Sequence, residues 1–303
     1  MSRDMGALFN PPNAIVRRAA TLTLLALALG APLLRAQDEE GPINPNPPAG
    51  VSVPDIIRRF ASKEKEFKEA RDNYTYRQST KVQTLDGDTV SGEYQLVFDV
   101  NYDSRGRRLE NVVYAPQSTL EQGGISMSRE DFEDIRNTLP FVLTIDELGD
   151  YNITYVGQQH VDELDTYVFD VAPKQILKDR RYFDGRIWVE TRDLQIVKAS
   201  GKSVPETRTK KEENLFPRFT TWREQIDGKY WFPTYTRADD VLHFSGGKNQ
   251  FARDVHIRII VKYTNYRRFG SSSRITYEGE EVKKGTDKPA GEAPQPQSPP
   301  PPK

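Results

Sequence analysis

The sequence predicts a mainly β (α+β) fold: a half-open antiparallel β-barrel of long strands, with helices lidding its concave face. Three observations predict it. Apolar residues recur at every second position over most of the stretch from Tyr74 to Tyr266. Only two stretches carry the 3.6-residue period of a helix. Short turn signals such as Asp227-Gly228 separate the strand patterns, which means a meander rather than alternating βαβ units.

Taken in order, the chain opens with Arg3, Arg17 and Arg18 ahead of a small and apolar run from Ala19 to Leu29. Gly30 and Pro32 break that run before Leu34-Arg35-Ala36, a cleavage-like site. Residues 1–36 therefore read as a secretory signal peptide, with a single N-terminal anchor as the alternative. The run is short of the roughly 20 residues a membrane span needs. The expected location is the periplasm. Residues 37–52, rich in Pro, Asn and Gly, form a flexible leader, and residues 53–278 form one folded domain. Residues 279–303, ending in Pro299 to Pro302, form a disordered Pro-rich tail.

The domain begins with a helix. Ser52 is its N-cap, Pro54 lies in the first turn and Asp55 answers Ser52 at capping-box spacing. Val53, Ile56, Ile57, Phe60 and Phe67 make its apolar stripe. Strands follow at Tyr74–Val82, Tyr94–Tyr102 and Leu109–Ala115. A second helix is capped by Ser128, striped by Phe132, Ile135 and Leu139, and stopped by Pro140. Further strands run over 151–157, 166–171, 186–191, 194–199, 219–225, 230–237 and 255–266. The two helices are the elements available to cover the concave face.

Composition removes whole classes of chemistry. The chain has 303 residues, no cysteine and three histidines, so disulfides, thiolate nucleophiles and Cys-based metal sites are excluded. Lys and Arg total 43 against 44 Asp and Glu, which offers nothing for nucleic acid to bind. Mean hydropathy is −0.71, yet 14 Tyr and 14 Phe suffice for a core. His160, His243 and His256 lie on separate strands with no HxH or HExxH spacing, so no metal site is expected. Asp86-Gly87-Asp88 reads as a hairpin turn, Asp239-Asp240 as loop solvation, and Arg208, Lys210 and Lys211 with Glu212 and Glu213 as a solvated loop. Lys198 reads as a surface residue. No nucleophile elbow, phosphate loop or dinucleotide fingerprint is present. The expectation is a protein that is no enzyme, with no catalytic residues and no cofactor.

The apolar faces carry more information. Tyr167, Phe169 and Val171 share one strand face. So do Ile257, Ile259, Val261 and Tyr263, and so do Tyr230 and Phe232. In a curved sheet these faces converge on one concavity. Either the helices seal it as a packed core, or they leave an apolar cleft for an acyl chain or hydrophobic peptide. Each buried methylene contributes about 0.8 kcal/mol, so an acyl chain needs no polar anchor there. Phe98, Val100, Tyr167, Phe169, Val171, Phe232, Ile257, Ile259 and Val261 are the expected lining.

Three segments carry a resemblance: Thr166-Tyr-Val-Phe-Asp-Val-Ala-Pro-Lys174, Tyr182-Phe-Asp-Gly-Arg-Ile-Trp-Val-Glu190 with Asp193-Leu-Gln-Ile-Val-Lys198, and Asp227-Gly-Lys-Tyr-Trp-Phe-Pro-Thr234. Together with the N-terminal helix they resemble the outer-membrane lipoprotein-sorting proteins, the LolA/LolB-like superfamily that includes the RseB sensor domain. That resemblance implies an unclosed antiparallel barrel lidded by helices, with a cavity for lipoprotein acyl chains. It implies a non-enzymatic carrier of lipid or lipoprotein, working with membrane-bound donor and acceptor proteins as a monomer. The alternative it leaves open is an envelope-stress sensor or scaffold that binds a protein partner through the same fold.

Overall fold

The computed structural model describes residues 40–103, 107–177, 180–208, 213–245 and 251–268, with the backbone of Thr276–Tyr277 and Glu280–Glu281. The predicted signal peptide, the tail beyond residue 281 and most of the basic loop lie outside the described residues.

Helix α1 (Val53–Arg71) forms where the 3.6-residue stripe predicts it. Its Ser52 cap accepts the Asp55 amide at 3.2 Å. Ten strands follow: β1 (Tyr74–Asp86), β2 (Thr89–Tyr102), β3 (Arg108–Tyr114), β4 (Tyr151–Val161), β5 (Leu164–Pro173), β6 (Tyr182–Glu190), β7 (Ile196–Val204), β8 (Phe219–Gln225), β9 (Trp231–Phe244) and β10 (Arg253–Arg268). All ten join one antiparallel sheet in the order β3-β2-β1-β10-β9-β8-β7-β6-β5-β4. The sheet does not close, because β3 and β4 end it on opposite sides. The half-open barrel predicted from the strand period is therefore the fold observed.

That order dictates the cover. β3 and β4 are consecutive in the chain yet lie on opposite edges, so residues 115–150 must cross the whole sheet to connect them. They cross its apolar face in short pieces: a 3₁₀ turn at Leu120–Gly123, helix α2 (Arg129–Glu133), a π-helical turn at Asp134–Thr138 and a 3₁₀ turn at Leu148–Asp150. Ser128 caps α2 with the full reciprocal box to Asp131. Helices this short do not hold themselves together in water, so packing against the sheet maintains them.

Three expectations are corrected. Asp239 and Asp240 are not loop residues: β9 runs through them to Phe244. Asp239 faces outward and receives His256, Arg237 and Arg258, while Asp240 accepts the Arg218 amide at 3.0 Å. An antiparallel sheet with one wet face accommodates such charges.

Lys198 is not a surface residue either, being 5% exposed. Its ammonium lies 5.0 Å from the Trp188 ring centre and 5.5 Å from that of Trp222, and it pairs with Glu40. Third, part of the leader is seated. The Gly41 amide donates to His160 O at 2.8 Å, and Asn44 and Gln158 exchange two backbone bonds of 2.8 Å across the β4 edge. An unpaired strand edge offers such bonds to any extended segment, whatever its side chains.

Gly185 and Gly201 face each other on β6 and β7 for a packing reason. A Cβ on Gly201 would meet Phe183 Cε2 at 2.7 Å and Asp184 O at 2.4 Å. The missing side chains make room for the Phe183 ring, which then stacks on Phe141 of the crossing segment with centroids 4.2 Å apart.

Candidate functional site

The concave face and its two-part cover form the candidate site. Alternation sends Phe98 and Val100 of β2, Phe169 and Val171 of β5, and Ile257, Ile259 and Val261 of β10 to the same side of the sheet. All seven are buried in one cluster, and Tyr167 packs half-buried against it. Phe232 stands apart. It belongs to a smaller cluster with Phe67 and Tyr74, because the last turns of α1 reach that corner of the sheet. The structure thus brings together eight of the nine residues expected to line the concavity.

Helix α1 seats Ile56, Phe60, Ala61 and Phe67 on this floor. Phe60 meets Phe169 at a centroid distance of 5.5 Å, and Phe67 meets Phe232 edge-on at 5.2 Å. One position of the buried stripe is charged. Glu64 is fully buried, accepts the Ile196 amide at 3.0 Å and takes Arg223 Nη1 on both oxygens at 3.1 Å. Burial pushes its carboxyl above the ordinary range, against the opposing pull of Arg223. The same guanidinium donates to Phe141 O, so one side chain of β8 ties both parts of the cover to the floor. Backbone pairing from Ile145 N to Ala61 O at 3.0 Å joins the two parts directly.

The crossing segment buries Leu120, Ile135, Leu139, Phe141 and Leu143. It is fixed by a second buried carboxylate. Asp134, with no exposed surface, takes the Thr138 hydroxyl at 2.9 Å, the Ser203 hydroxyl and the Arg181 guanidinium. At the other side, Arg136 grips Glu110 of β3 with bonds of 3.0 and 3.1 Å. Residue pattern alone did not single out Asp134, Arg181 or Arg223. Nor did it single out Glu64, although its spacing, four residues after Phe60 and three before Phe67, puts it on the buried face.

The floor is apolar with a polar seam. Gln78, Thr80, Thr84, Thr221 and Thr236 are all buried on its side. The Thr221 hydroxyl donates to Leu139 O at 2.6 Å and therefore accepts from Thr236 Oγ1 at 2.7 Å. Beside Thr236, the Tyr263 hydroxyl is buried with no well-formed hydrogen bond among the described residues, and burial pushes its pKa well up. Half-buried apolar side chains mark two stretches of rim. Tyr94, Leu96, Ile125 and Met127 line one, where Tyr94 meets Phe132 at 5.7 Å. Val53, Ile57, Ile153 and Tyr155 line the other.

The convex face differs in kind. A groove of about 550 Å³ runs over it, lined by Asn152, Thr154, Asp170, Asp184, Arg186 and Ser200 among others. Its Arg186–Asp170 pair, bonded at 2.7 and 3.1 Å, makes it unsuitable for a hydrocarbon chain. The histidines also face solvent, each beside an aspartate: His160 with Asp165, His243 with Asp254, His256 with Asp239. Among the described residues no group of three or more His, Asp or Glu is placed to hold a metal ion.

No family model matches the chain, and no curated protein matches it. Solved structures do. The chain is similar to a DUF1329 family protein from Desulfovibrio piger at 14% identity and TM-score 0.37, over 71% of this chain and 93% of that one. It is similar to a LolA superfamily protein from Nitrosomonas europaea at 14% identity and TM-score 0.32, over 73% and 96%. It is also similar to an outer membrane lipoprotein-sorting protein domain from Vibrio parahaemolyticus at 10% identity and TM-score 0.32, over 70% and 93%. LolA superfamily structures thus stand among the neighbours, as the strand motifs imply.

Proposed function

We propose that this protein is a periplasmic, non-enzymatic carrier that takes up the acyl chains of lipid or lipoprotein between the concave face and its cover. One observation carries the proposal. The apolar floor is covered by elements outside the sheet, and the crossing segment consists of turns too short to persist alone. The two parts are fixed by a few polar ties, buried at Glu64 and Asp134 and half-buried at Arg136. An acyl chain offers the floor the same kind of contact as Ile56, Phe60 or Leu139, so it substitutes for the cover without loss of apolar burial. The polar seam gives a bent chain or its ester a place to find hydrogen-bond partners.

Cargo loading and delivery through membrane-bound donor and acceptor proteins complete the proposed role in lipoprotein sorting. The test is titration with a fluorescent fatty acid. Tyr167→Asp at the half-buried rim and Phe169→Asp beneath it are compared with Val241→Asp on the convex face. Loss of binding in the first two alone supports the carrier. Equal effects in all three, or no binding by the wild type, would overturn it.

A further inference from the structure

The two edges of the sheet are treated differently. At the β4 edge the protein's own leader covers the Gln158–Val161 end, bridged at Glu40–Val161 and Asn44–Gln158. The β3 edge is bare among the described residues, and it is apolar. Leu109, Val112, Val113 and Tyr114 are 46%, 63%, 49% and 51% exposed. Within β3 there is no proline and no lysine, the usual guards of a strand edge. Its one relief is a register irregularity where Val97 and Phe98 of β2 meet Tyr114 and Val112. The charges of β3 are already neutralised at home, since Glu110 takes both Arg108 and Arg136.

We propose that this edge pairs with a second copy of itself, making a two-fold dimer joined antiparallel through β3 and centred on Asn111. Three features select a second copy over a foreign strand. A strand paired with itself across a two-fold axis is antiparallel by necessity, the sense of the whole sheet. Asn111 is the midpoint of Arg108–Tyr114, so this register pairs all seven residues.

In that register no like charges meet. Glu110 lies opposite the partner subunit's Val112, Arg108 opposite the partner subunit's Tyr114, and Leu109 opposite the partner subunit's Val113. Centring the pair on Glu110 would instead set two carboxylates face to face. At the outer edges of such a dimer the leader covers the Gln158–Val161 end of β4, which opposes growth of a longer sheet there.

The chain has no cysteine, so a single introduced thiol reports the register directly. Residues directly opposite in an antiparallel pair have Cα atoms about 4.5–5.5 Å apart, within disulfide reach. Under mild oxidation Asn111→Cys is expected to give a covalent dimer in high yield, whereas Asn137→Cys, exposed on the cover, stays monomeric. In sedimentation velocity the unmodified protein is expected to be dimeric at high micromolar concentration. Val112→Glu, which sets a second carboxylate opposite the partner subunit's Glu110, is expected to weaken the dimer about tenfold or more with an unchanged melting temperature. A wild type that stays monomeric would overturn the proposal. So would a Val112→Glu variant that dimerises normally, or equal cross-linking by both cysteine variants.

Discussion

Phe60 is the residue on which α1 is seated, and removing its ring separates the carrier account from a plain core. The ring is fully buried, 5.5 Å from that of Phe169. Phe60→Ala leaves a void and costs roughly 3–5 kcal/mol. If the cover exchanges between closed and open forms, the loss falls on the closed form, because an acyl chain in the concavity takes the place of the ring. Apparent affinity scales with the open fraction. At about 1.4 kcal/mol per factor of ten, the variant is expected to bind a fatty acid tighter by roughly two orders of magnitude or more. The gain ends once the open form predominates. Unfolding carries the same loss, so the urea midpoint falls while binding tightens. Fatty-acid titration beside urea unfolding, followed by fluorescence of Trp188, Trp222 and Trp231, reads both. A lower midpoint with unchanged or weaker binding would refute the reasoning and leave Phe60 an ordinary core residue.

Three further outcomes are expected. Arg223→Met strands Glu64 as a buried carboxylate and is expected to cost about 3–5 kcal/mol, while the Arg223→Met, Glu64→Leu pair costs clearly less than the sum of the singles. A denaturant double-mutant cycle measures this, and simple additivity would contradict it. Burial alone would raise the Asp239 carboxyl, but hydrogen bonds from His256, Arg237 and Arg258 outweigh it and hold the group below 3.8. The folded value being the lower, this stabilisation is present above 3.8 and is lost as pH falls further. Asp239→Asn should therefore melt below wild type at neutral pH, with the gap closing in acid; a gap independent of pH would count against it. Gly157→Ala places a Cβ 2.5 Å from Asn44 O and 2.6 Å from Ile43 Cγ2. It should unseat the leader, seen as faster amide exchange at Gly41 and Asn44 with β6 and β7 protected as before. Unchanged exchange at Asn44 would show that the leader does not depend on this close approach.

Where side-chain period sets structure, the sequence was easily read. The alternation in β2, β5 and β10 and the stripe of α1 both survive folding, and with them eight of the nine lining residues. What it concealed depends on pairing between distant segments. Lys198 looks solvated until β6, β7 and β8 are laid side by side, which places Trp188 and Trp222 around it. The leader docks through backbone bonds, which leave no mark in residue type. Asp239-Asp240 resembled a loop because charge usually signals one, yet the wet face of a long strand carries charge equally well. Phe232 has the right face but the wrong neighbour, since the length of α1 decides which corner of the floor it shares with Phe67.

The central claim is that the concave face carries acyl chains. Native mass spectrometry of the protein, purified without detergent and paired with lipid extraction, tests it most directly. The account predicts a stoichiometric acyl-bearing adduct whose mass matches an extracted lipid or lipoprotein fragment, and its loss in Tyr167→Asp. A clean ligand-free mass that stays so after incubation with fatty acids and phospholipid would contradict it and make the concavity a sealed core.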